Sequence, residues 1–156
     1  NKMGTSCHIA YQCLDGSTRG CYVHFDGYPE NMIPSIQAFL ARSTTTCLML
    51  HIKKAQAKGG LRYFNYNGDT NHSSFSIELL ENGEPWEIND DDFGTGTSYR
   101  YLISMRTGSL LAEAFNSETN SFCPVELTGG LNEPSAGWRF KEEDSPTSNR
   151  ALRVRP

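Results

Sequence analysis

The stretch VHFDGYPENMIPSIQAFL, Val23 to Leu40, constrains the fold more than any other, because the hydrophobic period changes inside it. Val23 and Phe25 end an alternating run of the kind that lines one face of a strand. Asp26-Gly27-Tyr28-Pro29 supplies turn chemistry, and Ile33, Ile36, Phe39 and Leu40 then recur at the three- and four-residue spacing of an amphipathic helix. A chain with this switch must turn a corner from sheet to helix, and that corner carries a histidine, a carboxylate and a tyrosine. Pro34 is expected in the first turn of the helix, where its missing N–H costs nothing.

On either side the pattern extends. Ser6 to Tyr11 and Cys21 to Phe25 read as strands joined through LDGSTRG, a hairpin. RSTTT interrupts the first helix. Cys47, Leu48, Leu50, Ile52 and Ala55 predict a second one that stops at Gly59-Gly60, with Lys53, Lys54 and Lys58 toward its C-terminal end. Beyond Leu61 the texture is that of an antiparallel meander. Phe75 to Leu79 is a strand, Trp86 and Ile88 continue an outgoing one, Tyr99 to Ile103 pairs with Ser109 to Phe115 across MRTG, and Phe122 to Leu127 adds an edge. NYNGDTNHS and NDDDFGTG are loops. Helices segregated from strands predict an α+β fold, a single domain with an antiparallel β-sheet and a pair of helices packed on one face.

At 156 residues the chain suits one core. The domain is expected over residues 1–130, followed by an extension over 131–156 that is partly docked through Trp138 and Phe140 and partly mobile. Met3 is the expected natural start. No run is long and apolar enough for a bilayer span, and no basic-then-apolar leader opens the sequence, so a cytoplasmic setting without a membrane partner is expected. The five cysteines, Cys7, Cys13, Cys21, Cys47 and Cys123, form an odd set without a CxxC pair, which points to reduced thiols rather than a disulfide framework or zinc site. Cys7, Cys21 and Cys47 fall where a free cysteine packs as a small hydrophobe.

The net charge of −4 hides a division. Between Arg19 and Tyr63 six basic residues (Arg19, Arg42, Lys53, Lys54, Lys58, Arg62) meet two acidic ones, Asp26 and Glu30; between Phe64 and Gly130 eleven acidic residues meet only Arg100 and Arg106. A basic helix face beside Tyr63, Phe64 and Tyr66 would suit single-stranded nucleic acid, but an isoelectric point near 5.5 and the lack of an RNA-binding signature disfavour it. The acidic half suits a protein partner with a basic surface. Asp90, Asp91 and Asp92 with Glu87 form an acidic surface rather than a metal site, since their spacing lacks the alternation and closing glutamate of a calcium loop.

His24 and Asp26 stand two apart, so an extended strand would put them on one face, with Tyr28 and Arg19 as further ligand or partner contacts. The competing reading makes Asp26 a cap on the helix. No catalytic residue, metal or cofactor motif is recognisable, and no enzyme class is supported.

The segment MGTSCHIAYQCLDGSTRGCYVHFDGYPENMIPSIQAFL, together with AKGGLR, resembles a family of small uncharacterised proteins of phages and other mobile elements. That family shares an initial strand, a Trp-Asp-Gly-Tyr-Pro-like core after His or Gln, and a following helix. The core here is His24-Phe25-Asp26-Gly27-Tyr28-Pro29, with Phe25 in place of Trp, and the likeness covers roughly the first sixty residues. It implies an accessory protein of a phage or gene cassette in a bacterial host, acting as a non-enzymatic macromolecule-binding or inhibitor module. The alternative is a small-ligand or nucleotide-binding protein, or weak hydrolase, with a pocket near His24, Asp26 and Tyr28. Unpaired strand edges would permit a dimer without specifying one.

Overall fold

The computed structural model describes residues 5–66 and 75–125. The chain order is β1 (Cys7–Gln12), β2 (Thr18–Val23), α1 (Pro29–Arg42), α2 (Thr45–Ala57), β3 (Leu61–Tyr66), β4 (Phe75–Leu79), β5 (Ile88–Asn89), β6 (Tyr99–Ser104), β7 (Leu110–Asn116) and β8 (Ser121–Pro124). One sheet holds all eight strands in the order β4-β3-β2-β1-β6-β7-β8, with β5 paired to β2. The α+β architecture expected above is therefore present. Most pairings are antiparallel; β1 with β6 and β2 with β3 run parallel.

Strand alternation sends one set of side chains under the helices. Cys7, Ile9, Tyr11, Cys21, Val23, Phe64, Tyr101, Ile103 and Ala112 pack with Met32, Ile33, Ile36 and Phe39 of α1 and with Leu48, Ile52 and Ala55 of α2 in one core. The opposite face carries a smaller cluster of Ala10, Leu102 and Leu111, covered by Phe93. The segment from Leu80 to Ser98, which connects β4 on one flank to β6 on the other, supplies that cover.

Each helix has an identifiable start and stop. Thr44 caps α2, its hydroxyl accepting from the Cys47 N–H at 3.0 Å. At the other end Gly59 takes φ of 91°, Gly59 N–H donates to Gln56 O and Gly60 N–H to Ala55 O, the paired bonds of a Schellman stop. Helix α1 differs from expectation in two ways. It begins at Pro29, so Pro34 lies inside the helix rather than in its first turn, and its N-cap is Tyr28 with no side-chain cap bond. The proline is tolerated because the carbonyl it leaves without an N–H donor belongs to exposed Glu30, where water can serve it.

Three further differences concern strands and thiols. Leu61 to Tyr66 is a strand, which the loop-like composition after it disguised; Phe64 is fully buried there and is not available to stack on a base. Trp86 does not extend a strand, since β5 is only Ile88 and Asn89, and Ile88 is the fully buried residue of the pair. Cys47 is exposed instead of packed, while Cys7 and Cys21 are fully buried; all five thiols are free. The extension expected over 131–156, with Trp138 and Phe140, lies outside the described residues. Among the described residues no helix is long and apolar enough to cross a membrane.

Candidate functional site

The corner at Asp26 is built from backbone geometry. His24 and Phe25 N–H groups donate to Leu61 O and Arg62 O, continuing the parallel pairing with β3, and the chain then breaks at Asp26, whose φ is 57°. A left-handed residue ends the strand alternation, so His24 and Asp26 do not share an extended face as their spacing suggested. Asp26 acts through its main chain. Its carbonyl accepts from Asn31 Nδ2 at 2.8 Å, and the same amide reaches Phe64 O at 3.2 Å.

Gly27 follows in close contact with β1, where an added Cβ would lie 2.8 Å from that of Cys7. Its N–H donates to Thr5 O and its carbonyl accepts from the buried Tyr101 hydroxyl at 2.7 Å. Asn31 and Ser35 complete the fastening, the Ser35 hydroxyl accepting from Tyr66 N–H at 3.1 Å. Neither residue was singled out by sequence. The signal was there, because Ser35 is a polar residue inside the apolar stripe between Met32 and Ile36. Tyr28 stays half-buried, and burial first, then the charges of Asp26 and Glu30, raise its hydroxyl above the ordinary value.

The sheet face opposite the helices carries a row of aromatic side chains. His8 on β1 and Tyr22 on β2 are cross-strand partners. Trp86 stacks on Tyr22 with ring centres 5.4 Å apart at 28°, and meets His8 edge to face at 6.0 Å. Phe93 lies parallel to the His8 ring at 6.5 Å. The Tyr22 hydroxyl bonds His24 Nδ1 at 2.7 Å, and His24 in turn contacts Phe25 with centres 4.3 Å apart. His24 therefore joins an aromatic row with Tyr22 and Trp86 rather than a dyad with Asp26.

At one end of that row Arg100 is clamped. Its Nε donates to Glu113 Oε1 at 2.6 Å, Nη1 donates to Phe93 O at 2.9 Å, and the guanidinium lies over the Phe93 and Phe122 rings at 5.0 and 4.1 Å. His8 sits behind the row, 1% exposed. Gly94 N–H donates to its Nδ1 at 2.9 Å, so the neutral ring carries its proton on Nε2. Burial, then the charge of Arg100, pushes its pKa down from 6.5 to about 4.

Of the acidic residues, Glu87 pairs with Arg19 at 3.2 Å, both half-exposed, and the alternation of β2 sets Arg19 with Cys21 and Val23 on the helix side of the sheet. Asp90 Oδ1 accepts from Thr18 N–H at 2.8 Å, and Asn89 Oδ1 accepts from the N–H groups of Asp91 and Asp92, which leaves those two carboxylates exposed on a turn. Among the described residues no three His, Cys, Asp or Glu side chains converge in a way that could hold a metal ion. Arg19, His24, Asp26 and Tyr28 thus fall into three places: His24 joins the aromatic face, Arg19 lies opposite Tyr11 on the helix side of the sheet, and Asp26 and Tyr28 belong to the corner. The chain matches no family model, no curated protein and no solved structure.

Proposed function

We propose that this protein is a non-enzymatic binding module that docks a protein partner with a basic surface on the Tyr22–Trp86 face. The observation that carries the reading is Trp86, a tryptophan left 44% exposed and stacked on a tyrosine. It stands in a segment from Glu81 to Asp92 holding six acidic residues and no basic one. Tryptophan and tyrosine anchor protein interfaces because they combine large apolar area with few rotatable bonds, and an acidic rim steers a cationic partner into register.

The resemblance of the first sixty residues supports placing the module among the accessory proteins of phages or gene cassettes, acting as a binder or inhibitor in the cytoplasm of a bacterial host. Single-stranded nucleic acid is the weaker occupant, because Phe64 is buried and Arg100 is engaged by Glu113. The test is capture from bacterial lysate with the unsubstituted chain, Trp86→Ala and Lys53→Glu/Lys54→Glu. Loss of the captured protein with Trp86→Ala alone agrees with the proposal. Loss only with the lysine variant, or capture of nucleic acid, contradicts it.

A further inference from the structure

The deepest group on the aromatic face is the one with an unmet requirement. His8 Nε2 is buried and has no hydrogen-bond partner, although Gly94 has committed the ring to carrying its proton there. Folded proteins rarely keep a buried N–H without an acceptor, since the group gave up water and received nothing in return. Its ring neighbours are Tyr22 and Trp86 on one side and Phe93, which also lies under the Arg100 guanidinium, on the other. The Arg100 guanidinium is already engaged by Glu113 and Phe93 O, so a carboxylate entering here would find no free cation.

We propose that His8, Tyr22 and Trp86 form a binding site for a small, uncharged, planar molecule with a hydrogen-bond acceptor on its rim, the size of one heteroaromatic ring. The acceptor takes the His8 Nε2–H, and the ring stacks on Tyr22 as the Trp86 indole swings outward. The existing geometry suits such a ligand. Tyr22 and Trp86 are nearly parallel, while the His8 plane stands at 73° and 87° to them. Perpendicular planes share one direction, along which the N–H can meet an acceptor at the edge of a ring stacked on Tyr22.

Trp86 is the movable wall. It is 44% exposed, while its own N–H donates to Gln56 O at 2.9 Å and, at the start of the segment, Leu80 N–H donates to Gly60 O at 3.0 Å. The side chain can rotate without unravelling the segment. This site lies at the floor of the docking face but does not depend on a protein partner, and it is separate from the corner at Asp26 and Tyr28.

The test uses the full chain with Trp138→Phe, which leaves Trp86 as the only tryptophan. Uracil, a planar ring with carbonyl acceptors, is titrated against toluene, a planar ring without one, following Trp86 fluorescence and the His8 ring nitrogens by long-range proton–nitrogen NMR. Uracil is expected to saturate, moving the Nε2 signal while Nδ1 remains an acceptor, and toluene to leave Nε2 unmoved. His8→Phe, compared at matched circular dichroism, is expected to weaken uracil binding about tenfold. The proposal is overturned by non-saturable uracil binding, by an Nε2 signal that uracil leaves unmoved or toluene moves equally, or by a folded His8→Phe chain that binds uracil undiminished. The nitrogen spectrum of the chain with His8 intact decides the matter even where the His8 variant does not fold.

Discussion

Two residues with unusual environments, His8 and Asp26, illustrate how local chemistry sets their roles. A histidine whose folded pKa lies near 4 and whose ordinary value is 6.5 is neutral in the native state across that window, whereas the unfolded chain binds a proton. Stability therefore falls as pH drops from about 6.5 toward 4, by up to about 3 kcal/mol from this group. Urea unfolding at several pH values should show that slope, and His8→Phe should flatten it relative to the unsubstituted chain, since the carboxylates titrate in both. Asp26 is a different case. Its positive φ predicts opposite outcomes for two small substitutions: Asp26→Ala should cost about 1 kcal/mol, and Asp26→Gly should be neutral or stabilising. A helix-capping carboxylate would lose stability in both. Removing the Tyr101 hydroxyl, which donates to Gly27 O from a fully buried position, should cost about 1–3 kcal/mol in urea unfolding of Tyr101→Phe.

Elements whose patterns reflect local physics were legible in the sequence. The hairpin of β1 and β2, both helices, and the pair β6–β7 follow from periodicity, caps and turn residues, all of which act within a few positions. Strand β3 escaped because its signal is non-local. It pairs parallel to β2 from Val23 and antiparallel to β4, with a register shift between Leu61 and Tyr63 that blurs its alternation. Gly60 marks the place where α2 ends against that sheet. Its φ is 136°, and an added Cβ would lie 2.4 Å from Tyr22 O, a backbone atom that cannot move aside cheaply. Gly60→Ala should therefore destabilise by at least about 1–3 kcal/mol from strain alone, and thermal unfolding measures it. The corresponding change at Gly16, whose surroundings are open, should cost less.

At the scale of the whole molecule, the α+β class was visible from the order of elements along the chain, whereas the division of charge between segments is bridged in the fold, where Arg19 pairs with Glu87 and Arg62 with Glu78. The site was only partly visible. Of the residues named from sequence, His24 joins the aromatic row, whereas Arg19 pairs with Glu87 on the helix side of the sheet and Asp91 and Asp92 lie exposed on a turn. His8, Tyr22, Trp86 and Phe93 are distant in sequence and meet only because β1 and β2 pair and the segment after β4 crosses the sheet to reach β6. No local pattern carries that information. A histidine on a strand and a tryptophan after a turn read as ordinary until the crossing brings them together.

That face is where the functional account is most exposed to test. The most direct measurement is quantitative capture of partner protein by the full chain compared with Trp86→Ala and with Glu84→Lys, all folded by circular dichroism. The account expects capture to fall about tenfold or more with Trp86→Ala, and to fall with the charge reversal most steeply at low salt. Capture that survives both changes undiminished would contradict it.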